Sequence, residues 1–137
     1  MMDSTLQTNE WAQTLIDEQV NSVQQALDAY CCKPAAPKRV HRVRKALARL
    51  QSTLRDLASL TPAAGALRKE ARLLYRRAGR VRDADVLLDR LRTYRGAAPR
   101  KDADAIESLC LELGKRRRKA SRRFRKAVAR SAFARAS

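Results

Sequence analysis

Residues 39–57 read RVHRVRKALARLQSTLRDL, and the placing of their apolar side chains decides the fold. Val40, Val43, Leu47, Leu50, Leu54 and Leu57 follow one another by three and four residues in alternation. At about 100° per residue this spacing gathers one narrow stripe on an α-helix. The same stretch holds the chain's one histidine, His41, among arginines and lysines, with no carboxylate before Asp56. His41, Arg44, Ala48, Gln51 and Arg55 repeat the three-and-four spacing and form a second stripe beside the first. Lys45 flanks it, while Arg42 and Arg49 point to the far side. A basic stripe bordering an apolar seam lies at a groove between helices, where a neighbour's side chains converge with it.

Outward from this helix, every periodic segment reads as helix. The first covers about residues 6–32, with Ile16, Val20, Val23, Leu27 and Tyr30 in register and Ser4 and Gln7 as a capping box. The segment KPAAP at 33–37 ends it, and Pro37 opens helix two, which runs to about residue 60. Thr61-Pro62 reads as an N-cap and first-turn proline of a third helix, with Leu67, Ala71, Leu74 and Ala78 inward and Gly79 as its stop. Asp83 then caps a short fourth helix ending near Tyr94. The last starts between Pro99 and Asp102 and continues almost to the C-terminus, weakened at Gly114 by about 1 kcal/mol relative to alanine. The spacing predicts an all-α, antiparallel bundle of four to five helices with short loops. One domain over residues 1–137 is expected, with the stretch of about 36–137 carrying the motifs and a basic helical tail over 115–137.

The charge is extreme and uneven. The chain carries a net +17 with 45% hydrophobic residues, so it can build a core and is not a disordered basic tail. Residues 1–35 hold five acids and one base; the remainder holds 30 bases against nine acids. Such a field draws in polyanions. Aromatic residues make up 4%, which argues against a surface for stacking bases. Cys31, Cys32 and Cys110 show no metal-ligand spacing, and one histidine is too few for zinc, so reduced thiols in the cytoplasm and no metal or cofactor are expected. With no apolar run of spanning length and no secretion signal, no membrane association is expected.

Other helices offer partners for the His41 stripe. Arg72 and Arg76 are four apart and share a face, with Arg68 and Lys69 close by. The stretch GRVRD at 79–83 reads as a loop presenting Arg82 just before a helix N-terminus. Arg117 falls in step with Leu113, Ala120 and Phe124, where an arginine either snorkels to water or lines an internal polar channel. Residues 115–135 contain eleven bases and no acid.

These residues resemble the CHAD domain, a helical family named for a conserved histidine. VHRVRKALARLQ is similar to its first signature, supplying His41, Arg44, Lys45, Arg49 and Leu50, and departs from it at Ala48 and Gln51, where the family usually has bases. LLYRRAGRVRDADVLLDRL is similar to the second, through Leu74, Gly79, Arg82, Asp83, Asp85 and Val86, with Ala78 replacing the usual leucine. Arg117, Ala120 and Phe124 match a third stretch. The resemblance implies binding of inorganic polyphosphate in a basic cavity and association with polyphosphate granules. It also implies two facing repeats; this chain is long enough for one, so a homodimer completing the cavity is expected.

The residues support that expectation independently. Guanidinium forks bind phosphate bidentately and ammonium groups bind it as point charges. An imidazole among cations becomes easier to protonate when an anion arrives. The expected binding set is His41, Arg44, Lys45, Arg49, Arg55, Arg72, Arg76, Arg82 and Arg117. Non-specific binding of RNA or DNA is the alternative that the charge permits. Catalysis on phosphates is not expected, because Asp83 and Asp85 read as residues of a helix N-terminus.

Overall fold

The computed structural model describes residues 4–135, with side chains described from Glu10 onward. Four α-helices account for most of them: α1 (Ser4–Cys32), α2 (Pro37–Asp56), α3 (Ala64–Ala97) and α4 (Ala103–Ala129), with one 3-10 turn at Arg100–Asp102. Short connections make neighbours antiparallel, and packing follows chain order, α1 on α2, α2 on α3 and α3 on α4. The Ser4 and Gln7 capping box lies outside the described side chains.

Helix α2 is the centre of the core. Val40, Val43, Leu47, Leu50 and Leu54 are fully buried, each contributing on the order of 1.5–3 kcal/mol by leaving water. They meet Val23, Leu27 and Tyr30 of α1, Leu74, Ala78 and Val81 of α3, and Phe124 and Val128 of α4 in one cluster. The circuit closes between α1 and α4. There Tyr30 and Phe124 meet edge to face with centroids 5.3 Å apart, and the Tyr30 hydroxyl lies 2.5 Å from Ser121 Oγ. Burial pushes the Tyr30 phenol above its ordinary value, with the Ser121 hydrogen bond pulling the other way.

Pro37 is the first residue of α2, as its missing N–H favours. The first helix ends at Cys32 and the last begins just after Asp102, as expected, whereas the boundaries around residues 57–83 need correction. α2 ends at Asp56, and residues 57–60 are turns. α3 begins at Ala64 without a side-chain cap; Thr61 gives only its carbonyl, to the Ala64 N–H at 3.2 Å, and its hydroxyl is buried without a hydrogen-bond partner. Most importantly, Gly79 does not stop the third helix, so the expected third and fourth helices are one 34-residue rod. No described glycine has positive φ. The reason is the inward stripe: Ala71, Leu74, Ala78, Val81, Asp85 and Leu88 are all buried and alternate in steps of three and four straight through Gly79. Burial along that line outweighs the ~1 kcal/mol helical cost of one glycine. Asp83 is therefore mid-helix and Arg82 is not at a helix start. α4 likewise runs unbroken through Gly114.

Candidate functional site

Arg44 leaves α2 and lies flat against α3. Its guanidinium carbon is 4.4 Å from the centroid of the Tyr75 ring, a cation–π contact. Its Nη2 lies 3.6 Å from the point where a β-carbon on residue 79 would stand. Gly79 thus matters as a flat place on α3 rather than as a helix stop. Tyr75 and Gly79, four residues apart, form one shelf beneath the arginine. The Arg44 Nε is buried with no hydrogen-bond partner. The four ion pairs among the described residues are Arg55–Asp56, Arg95–Glu107, Arg117–Asp85 and Arg135–Asp28, so no carboxylate answers Arg44.

Helical spacing places further bases around this shelf. His41 is one turn before Arg44 on α2 and exposed; Arg55 lies farther along the same stripe, beside Asp56 at 3.4 Å in an exposed pair that is weak in water. On α3, exposed Arg72 and Arg76 precede Gly79, and half-buried Arg82 follows it by one turn. Because α2 and α3 are antiparallel, Arg68 and Arg72 come opposite Ala48 and Gln51, the two positions where α2 lacks a base. Arg82 borders a recess beside Pro37, at the start of α2, that takes in Arg90 and Arg92 together with Asp85 and Asp89. Spacing along α3 contained Tyr75, Gly79 and Arg90 as members of this face, but their roles depend on where the side chain of Arg44 goes.

Three expected residues sit elsewhere. Lys45 and Arg49 turn toward α1, lining a shallow groove with Lys38, Arg42, Ser22 and Gln25; His41 stands at the border of both faces. Arg117 is inside the bundle, neither snorkelling nor lining a channel. Its Nε donates to Asp85 Oδ1 at 2.5 Å and its Nη2 to Oδ2 at 3.3 Å, and the two side chains are 11% and 5% exposed. This fork-to-fork pair ties α3 to α4. It corrects the reading of Asp85 as a residue of a helix start. Among the described residues, no group of three or more His, Cys, Asp or Glu is placed to hold a metal. The three cysteines are free, and burial pushes the Cys31 thiol above its ordinary value, away from the reactive thiolate. No described helix is long and apolar enough to cross a membrane.

The α2 stripe, the Arg82 to Val86 stretch and the α4 register therefore occur together on one helical bundle. The CHAD domain family model matches residues 14–137. The chain belongs to the CHAD domain family. No curated protein and no solved structure matches it. CHAD domains are linked in general to polyphosphate binding. In this CHAD domain the two signature stretches meet where Arg44 of the first crosses Gly79 of the second.

Proposed function

We propose that this CHAD domain binds inorganic polyphosphate along the α2–α3 face, with Arg44 at its centre. The observation that carries the reading is an arginine positioned by Tyr75 and Gly79, its buried Nε unpartnered and no carboxylate paired with it among the described residues. Holding a guanidinium in place before the ligand arrives removes part of the ordering cost of binding. His41, Arg55, Arg72, Arg76 and Arg82 supply further positive charge along the groove, and Lys45 and Arg49 add to the field from the neighbouring face. Arg117 takes no direct part. The molecule acts as a binder, not an enzyme: Asp85 is already committed to Arg117. Localisation to polyphosphate granules in the cytoplasm follows from the same affinity. A second copy facing the same groove, with the polyanion between them offsetting their mutual repulsion, makes the homodimer ligand-dependent.

Inorganic polyphosphate is favoured over nucleic acid because the shelf around Arg44 offers no free ring for a base. Tyr75 is covered by Arg44, whereas the exposed aromatics Trp11 and Tyr94 lie off the Arg44 shelf. Calorimetry with long-chain polyphosphate and with RNA at equal salt tests the reading. Polyphosphate should bind more tightly, with log K falling against log salt at a slope of roughly −4 for six neutralised phosphates. Equal affinity for RNA, or a flat salt response, would overturn it.

A further inference from the structure

A second positive groove lies on the other flank of α3 and has a different chemistry. On α3, Leu73, Arg77, Arg80, Ala84, Leu87 and Leu91 alternate by three and four; on α4, Leu109, Leu113, Arg116, Ala120, Arg123 and Ala127 do the same. The antiparallel helices bring these rows side by side, and a groove forms with Ala84, Leu87, Leu113 and Ala120 among its lining. Leu87, which lines the groove, is 46% exposed, and Leu109, one turn before Leu113 on α4, is 53% exposed. Arg77, Arg80, Arg116, Lys119 and Arg123 also line the groove, with Asp83 its one carboxylate. None of those five bases joins an ion pair among the described residues.

The two ends differ. Leu87, Leu91, Leu109 and Leu113 gather where α3 and α4 approach their connection, and the arginines gather toward the α3 N-terminus, with Leu73 alone beyond them. From Leu73 to Leu91 the face is straight for about 27 Å, the length of a helix of some 18 residues. Inorganic polyphosphate has no apolar group to place on leucine. A groove between two helices seats a third by the same ridge-and-groove fit that holds the bundle together. We infer that the α3–α4 groove docks an acidic amphipathic helix of a partner protein, its leucine-type side chains on Leu87, Leu109 and Leu113 and its carboxylates on Arg77, Arg80, Arg116 and Arg123. The acidic α1 of a second copy does not fit this description, because Ile16, Val23, Leu27 and Tyr30, its apolar stripe, are already buried.

The test is fluorescence anisotropy on the full chain with a synthetic helical peptide of about 18 residues. One half carries leucines at helical spacing and the other half glutamates; a scrambled peptide of the same composition is the control. The patterned peptide should bind at least tenfold more tightly than the scrambled one. Leu87→Glu, and separately the double variant Arg80→Glu with Arg123→Glu, should each weaken it tenfold or more with unchanged circular dichroism. Arg44→Ala should leave it unchanged, which separates this groove from the polyphosphate face. Equal binding of the scrambled peptide would overturn the inference by reducing the groove to bulk charge. So would self-association that Leu87→Glu abolishes, or Leu87-dependent binding to anionic vesicles without binding of the peptide.

Discussion

Arg117 is buried and Arg44 half-buried, and they differ in what they meet. Arg117 finds Asp85 on the facing helix and fits both oxygens. Arg44, on the groove between α2 and α3, finds a ring face and a glycine and, among the described residues, no carboxylate. The first arrangement is complete as it stands and joins two helices. The second holds a positive charge in place without a carboxylate among the described residues, which is why polyphosphate is proposed to meet it. Most of the protein's 31 lysines and arginines lack an ion pair among the described residues; what sets Arg44 apart is a buried Nε with no hydrogen-bond partner.

The largest expected effect comes from breaking the closed pair. Asp85→Ala leaves Arg117 charged and unpartnered in the interior, a loss on the order of 3–5 kcal/mol. Urea unfolding should show it as a lower midpoint, while replacing both residues by apolar ones of similar volume should restore most of the stability. If Asp85→Ala unfolds at the wild-type midpoint, Arg117 is not held as described.

Opening the other arginine should do the reverse, sparing stability and removing function. Arg44→Ala should weaken polyphosphate binding by about 1.5–3 kcal/mol, the range for a hydrogen bond to a charged group, and shift the unfolding midpoint little. Arg44→Lys keeps the charge but loses the fork and the fit over Tyr75, so calorimetry should find it only partly restored. Arg130→Ala, in the exposed tail, should be almost silent; equal losses at both positions would mean the whole surface attracts the ligand and the shelf is unimportant.

At Tyr30, Phe substitution removes the hydrogen bond with Ser121, costing about 1 kcal/mol at neutral pH. Because folding raises the phenol's pKa, the stability tied to it is complete below the ordinary tyrosine value near 10 and falls as pH rises through the folded value. Urea midpoints measured across alkaline pH should fall less steeply in Tyr30→Phe than in the wild type.

Gly79 gives the smallest and most discriminating change. A β-carbon there stands at ordinary contact distance, 3.6 Å, from Arg44. Gly79→Ala should thus gain up to about 1 kcal/mol of helix stability with binding intact, whereas Gly79→Leu should displace the guanidinium from Tyr75 and weaken polyphosphate binding several-fold. Loss of binding in the alanine variant would show that the shelf tolerates less than its spacing suggests.

The α2 stripe was legible because one residue type repeats at one period, and burial follows it faithfully. α3 was harder for two reasons that reinforce each other. Gly79 carries a local stop signal, and Asp85 occupies a core position where an apolar residue would have revealed that the stripe continues. Helix propensity is a matter of about 1 kcal/mol at one residue, and it misleads when a longer pattern opposes it. The basic face was legible through His41, Arg44, Arg72 and Arg76, all set by spacing along single helices. The partner of Arg117 was not, since Asp85 lies 32 residues away and only packing brings it near. The shelf under Arg44 was hidden similarly: Tyr75 and Gly79 are ordinary helix residues until α2 is laid beside them.

The order in which the helices pack has a consequence for how the molecule assembles. Each helix rests chiefly on the one before it in the chain, and bundles of such local contacts fold in microseconds to milliseconds. Successive hairpins can form as the polypeptide leaves the ribosome, each giving the next a surface to settle on. The joint between Tyr30 and Ser121 is different, for it spans 91 residues and must wait until α4 has been synthesised. The topology makes this joint the seam of the fold, the contact that closes the bundle on itself.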